Sequence, residues 1–179
     1  MKNMFFILCI SFLTACANTH SFIRNSPVEI ISLNPKGSVF VAIPDDGAYG
    51  NRRYEGSGRN ASQIICSAFL KHCRSVQKAN TRETFEESMR SATKGGHKYL
   101  VFPTILHWED RSTEWSGKPD RVEVKIDLVD INSGESLDSV IVKGKSGLAT
   151  FGGDHPQDLL QIPIEEFVAS LYEASHAQN

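Results

Sequence analysis

The chain has 179 residues, 40% of them hydrophobic, which is enough for one domain with a real core. Its formal net charge of −2 gives no basic field to collect phosphates, so composition excludes a nucleic-acid-binding role. Beyond the first few residues no apolar run approaches the roughly 20 residues a membrane-spanning helix needs.

The first segment is an address. Lys2 precedes the apolar run Met4–Leu13, which is too short to span a bilayer and reads as the core of a secretory signal. The run ends in Leu13-Thr14-Ala15-Cys16, small residues followed by cysteine, which resembles the lipobox of bacterial lipoproteins. That resemblance implies cleavage after Ala15 and acylation of Cys16. It also implies a membrane anchor, because two or more acyl chains hold stably where one does not. Neither Ala17 nor Asn18 is aspartate, which by similarity to the enteric sorting rule points to the outer membrane, with the domain facing the periplasm.

Four ranges are therefore expected: a signal peptide over 1–15, an acylated cysteine and tether over 16–37, one globular domain over 38–174, and a frayed tail over 175–179. Within the domain, Ser38–Pro44 is a compact β-branched run and reads as a buried strand. A loop rich in Gly, Asp, Tyr and Arg follows, over Asp45–Gly58. Ala61, Ile64, Ile65, Ala68 and Phe69 then mark one face of a helix, with Ser57 or Asn60 placed to cap it. Ser75–Ala79 is a short strand. Thr81–Lys94 is a second helix with Phe85, Met89 and Ala92 inward, stopped by Gly95-Gly96.

Tyr99–Trp108 is the most apolar stretch after the signal and reads as a central strand, with Pro103 expected at a bulge or an unpaired donor position. Val122–Ile131 alternates cleanly, turns at Asn132–Glu135 and returns as Ser139–Lys145. The last helix uses Leu160, Ile164, Phe167, Val168 and Leu171, with Pro163 breaking or restarting it. The order β-α-β-α-β-β-β-α implies an α+β fold, a mixed β-sheet with helices packed on it.

Tyr54-Glu55-Gly56-Ser57-Gly58, Leu106-His107-Trp108-Glu109-Asp110 and the stretch Trp115–Glu123 resemble a family of uncharacterised Gram-negative lipoproteins defined by a domain of unknown function. The element order is also similar to the amino-terminal domain of the Tol-system periplasmic protein and to lipoproteins that activate penicillin-binding proteins. Those are binding modules, and the family supplies no catalytic residues to carry over.

The candidate chemistry is sparse. Arg52, Arg53, Ser57 and Arg59 lie between a strand and a helix start, where an anion can bind, but no phosphate-loop motif accompanies them. No two histidines stand four residues apart and no Cys-x-x-Cys occurs, so no metal or cofactor is expected. Cys66 and Cys73 fall on one predicted helix about 10 Å apart along its axis. That is too far for a disulfide's Cα separation of about 4.4–6.8 Å unless the helix ends before Cys73. The adjacent acids Glu109-Asp110 read as solvated charge. Trp115, with Arg111 and Arg121 nearby, reads as an interface anchor.

The reading is a lipid-anchored periplasmic domain that binds an envelope protein or component and catalyses nothing. The alternatives are a small-molecule hydrolase using the 49–59 and 147–155 loops, and a purely structural envelope lipoprotein.

Overall fold

The computed structural model of the protein describes residues 18–24, 31–111, 119–147 and 155–173. Cys16, Trp115 and the loop 148–154 lie outside the described residues.

The chain forms β1 (Thr19–Arg24), β2 (Val39–Val41), a small hairpin of β3 (Ala48–Tyr49) and β4 (Arg52–Arg53), α1 (Ser57–Leu70), β5 (Val76–Lys78) and α2 (Phe85–Lys94). The long strands β6 (Tyr99–Glu109), β7 (Arg121–Asp130) and β8 (Ser136–Lys145) follow. A short 3-10 turn, Asp158–Leu160, then leads into α3, Gln161–Glu173. The main sheet has the order β1-β8-β7-β6-β2-β5. β2 is parallel to β5 and β6, and β6, β7, β8 and β1 are antiparallel in turn. This is the α+β mixed sheet that the strand and helix order implies.

Two crossovers between parallel strands, right-handed as such connections are in general, place the first two helices. The crossover from β2 to β5 and the return from β5 past β2 to β6 run in opposite directions along the sheet, so α1 and α2 fall on opposite faces. α1 and α3 share one face with the larger core, built on Ile65, Phe69, Val101, Val124, Ile164 and Phe167. α2 covers a smaller core on the other face, around Phe40, Ala42, Leu100 and Ala92. The α2 start is fixed by a capping box: the Glu87 N–H donates to the Thr84 hydroxyl, and the Thr84 N–H donates to the Glu87 carboxylate. That cap starts the helix at Phe85, four residues later than the pattern suggests. Pro163 sits in the first turn of α3, where its missing N–H has no intrahelical acceptor to lose.

Part of the segment expected as a tether, Thr19–Arg24, lies in the sheet. Thr19–Arg24 pairs antiparallel with Val140–Lys145 as an edge strand. Phe22 faces Phe167 with ring centroids 6.0 Å apart. Leu33 is fully buried, and its N–H donates to the Leu171 carbonyl at 2.8 Å. At the far end of β1, Arg24 Nε lies 3.0 Å from Asp138 Oδ2, whose side chain is 2% exposed, and another Arg24 nitrogen donates to Ser170 Oγ at 2.6 Å. The guanidinium also stands 5.9 Å from the Phe167 ring centroid. Arg24→Ala strands a buried carboxylate and loosens β1 from both β8 and α3. The half-exposed arginine tempers the loss, so urea unfolding should show a destabilisation of about 2 kcal/mol. A variant with wild-type stability would show that β1 is held without this pair.

A break in register between Ile105 and His107 makes a bulge at Leu106. Before it Tyr99 and Val101 enter the α1/α3 core; after it Trp108 does, so the side-chain parity has flipped. Pro103 is not the bulge. It is aligned with Ile126 of β7, beyond Val101, the last β6 residue that pairs with β2. Its missing N–H therefore falls where no β2 partner remains.

α1 ends at Leu70, before Cys73, yet Cys66 and Cys73 are both free and buried. Burial pushes the Cys66 thiol up to about 11 and also raises that of Cys73. Both are inert packing thiols on this geometry.

Candidate functional site

β2 and β6 are parallel, and β7 and β8 complete the meander, so the loops after β2, β6 and β8 meet at one end of the sheet. They enclose a cleft of about 350 Å³ whose walls include Arg52, Arg53, Tyr54, Ser57, Asp110 and His155. Its floor is Trp108, 2% exposed. Gly47 rests on that indole so closely that a Cβ there would stand 2.4 Å from the Trp108 Cβ.

The wall from the 44–56 loop is built by hydrogen bonds. The Gly47 N–H donates to Ser57 Oγ at 2.8 Å, and the Tyr54 N–H donates to the Gly47 carbonyl at 2.9 Å. The Tyr54 hydroxyl donates to the Asp110 carbonyl at 3.2 Å, and the Arg52 guanidinium lies 4.9 Å from the Tyr54 ring centroid. Gly50 turns the β3–β4 hairpin with φ 58, a conformation suited to glycine.

The helix start is self-capped. Gly56 is the α1 N-cap and offers no side chain, so neither Ser57 nor Asn60 caps this helix. Instead Asp46 Oδ1 accepts the Gly58 N–H at 3.0 Å. The position where an external anion would sit against this helix is thus filled by the chain's own carboxylate. Arg52, Arg53 and Arg59 are all exposed. Arg52 and Arg53 line the cleft with Ser57, and Arg59 is not part of its lining. Arg53 lies 4.0 Å from Asp45.

The β6 end corrects one sequence expectation. Glu109 is buried rather than solvated: Arg111 closes an ion pair on it, and His107 Nε2 lies 3.3 Å away. The flip at Leu106 puts His107 and Glu109 on the face opposite Trp108, where the Tyr49 ring packs edge-on to His107 with centroids 5.2 Å apart. Arg111 is paired with Glu109 and stands 5.9 Å from the Tyr49 ring centroid, with 28% of its side chain exposed. Arg121 is exposed at the start of β7. Trp115, the third member of that expected group, lies outside the described residues.

Two contacts were not anticipated from the sequence. The Asp120 carboxylate accepts the Arg111 N–H at 2.6 Å, and its backbone N–H donates to Ser146 Oγ at 2.8 Å, so it ties the β6 end to the β8 end. Burial raises its carboxyl above the ordinary value, against the Arg111 N–H, with Asp110's charge adding to the rise. Asp110 itself lies 3.6 Å from His155 Nδ1. Nothing local in the sequence announces either contact, because each joins segments that meet only in the fold. Among the described residues no three His, Cys, Asp or Glu side chains gather as a metal site, and no helix is long and apolar enough to cross a membrane.

A mixed sheet with helices on both faces and a polar cleft at one end defines a small α+β domain. The chain belongs to the family defined by the domain of unknown function DUF4823, which it matches over residues 31–171. No curated protein matches it. Among solved structures, the PelC dodecamer of Paraburkholderia phytofirmans is similar with a TM-score of 0.63 and 13% identity, over 87% of this chain and 97% of that one. Lipoprotein GNA1162 of Neisseria meningitidis gives 0.46 at 16% identity, over 79% and 96%. The LpoB C-terminal domain of Escherichia coli gives 0.35 at 16% identity, over 64% and 85%. At these values only the PelC likeness bears on the fold.

Proposed function

We propose that this protein is an outer-membrane lipoprotein, acylated on Cys16, whose periplasmic domain binds an envelope protein or component at the loop-built cleft and catalyses nothing. The observation that carries the reading is the convergence of three loops from separate elements at the end of the sheet where β1 begins, so that cleft and anchor share one end. The charges there favour recognition over chemistry. Ser57 is buried with its oxygen accepting from Gly47, and Glu109 is held by Arg111. Arg52 and Arg53 remain exposed at the mouth, as rim cations that steer and orient a partner.

The test is site-specific photo-crosslinking in cells. A crosslinker in place of Arg53 should give a discrete adduct, and one in place of Asn132 in the opposite hairpin should not. The double variant Arg52→Glu, Arg53→Glu should lower capture about tenfold. Equal adducts from both ends of the sheet would sink the cleft as the binding site.

A hydrolase is the second reading, favoured by one observation: Ser57, Asp110 and His155 line the same cleft. A fluorophosphonate probe separates the two. The binding reading expects no labelling, whereas labelling lost in Ser57→Ala would establish a reactive serine and overturn it.

A further inference from the structure

Cys16 stands three residues before Thr19, the first residue of β1. Three extended residues reach about 10 Å at most. The start of β1 is itself fastened, because the Gly147 N–H donates to Asn18 Oδ1 at 2.9 Å. A chain acylated at Cys16 thus has almost no slack. The end of the sheet that carries Thr19 is held within about a Debye length of the lipid surface, roughly 8–10 Å at moderate salt.

On one face of that end two cations stand without a neutralising partner among the described residues. On β7, Val122 enters the core, so Arg121 and Glu123 point to the opposite face, which α1 and α3 leave open. Directly across, Arg121 is aligned with Lys145 and Glu123 with Lys143. Thr19 continues the first row and Ser21 the second. Lys143 and Glu123 neutralise each other at 3.2 Å. The acid across from Arg121 on β6 is Glu109, which is buried and held by Arg111. Arg121 and Lys145 are left side by side, both exposed and, among the described residues, without an ion-pair partner. Like charges placed directly opposite on a sheet repel. These two border a depression of about 250 Å³ lined also by Thr19, Ser21 and Gly144.

We propose that this row, Arg121 and Lys145 with Thr19 beside them, binds the phosphates of anionic phospholipid headgroups, so that the domain lies against the membrane in one orientation. The proposal rests on acylation of Cys16. The lipid is favoured over a soluble phosphate because the short connection fixes this row at the headgroup level. The repulsion between the two cations is relieved there by the surface charge.

The test uses the mature acylated protein in phosphatidylcholine vesicles with or without phosphatidylglycerol, read by amide hydrogen exchange. Exchange over 19–24 and 143–147 should slow severalfold when phosphatidylglycerol is present and stay unchanged when it is absent. The double variants Arg121→Glu, Lys145→Glu and Arg121→Gln, Lys145→Gln should each abolish the difference, the second guarding against a folding defect in the first. The unacylated Cys16→Ser protein should still sediment with phosphatidylglycerol vesicles in preference to neutral ones. Each cation should contribute about fivefold to that preference. Equal exchange in both lipid compositions would overturn the proposal. So would equal slowing by inorganic phosphate alone, which would assign the row to a soluble anion. The intact mass reports acylation independently, and without acyl chains the anchor reading fails while sedimentation still decides headgroup binding.

Discussion

Replacing Cys16 by Ser is expected to move the protein almost completely from the membrane pellet to the soluble periplasm, or to leave an uncut precursor. On the lipoprotein reading the thiol takes the diacylglyceryl group that must precede cleavage and any further acylation of the new amino terminus, and serine cannot form the thioether. Each buried methylene contributes about 0.8 kcal/mol, so removing two or three chains removes far more attachment than any surface contact supplies. Two surplus cations retain only a weak, salt-sensitive membrane affinity. Fractionation, intact mass and accumulation of the precursor under globomycin check the expectation. Wild-type protein found without lipid, or the serine variant pelleting like wild type, would defeat it. Stability of the domain should be unchanged, because Cys16 precedes the first strand.

Trp108→Ala is expected to destabilise the fold by about 4 kcal/mol, with an unchanged urea m-value. The indole is fully buried beneath the cleft, and Gly47 is seated on it. Its loss leaves a cavity that this close-packed loop cannot fill. Leu106→Ala, two residues earlier, should fall within about 0.5 kcal/mol of wild type, because the bulge leaves Leu106 49% exposed. Equal losses at the two positions, measured by urea unfolding, would mean that the parity flip does not decide which side chain carries the core.

The contrast between those two residues marks what the sequence could tell. Periodicity located every long element, because Val122 to Leu128 alternate and Ala61 to Phe69 repeat at helical spacing. It missed the bulge, since Leu106 is as apolar as its neighbours and Pro103 was the more conspicuous irregularity. It missed β1 because the apolar residues of Thr19–Arg24, Phe22 and Ile23, are adjacent and do not alternate, and the segment becomes a strand only through a partner more than a hundred residues away. The Asp45–Gly58 loop was legible as a loop because Gly, Asp, Tyr and Arg crowd it. The ion pair that organises the β6 end was not. Glu109 looks like any solvated acid until the flipped register and Arg111 enclose it. Asp110 and His155 meet only after the meander has closed.

The attachment of β1 has a mechanical side. A pull on the amino terminus loads the β1–β8 ladder from its Thr19–Lys145 end, so the strand peels one residue pair at a time instead of shearing along its whole length. Peeling geometries yield at low force until they meet a stronger fastening. Here that fastening is Arg24, five residues on, locked to Asp138 and Ser170 at the opposite end of the strand. The domain is thereby built as a short ripcord with a stop: tension between membrane and partner can lengthen the connection by one strand before it reaches the core.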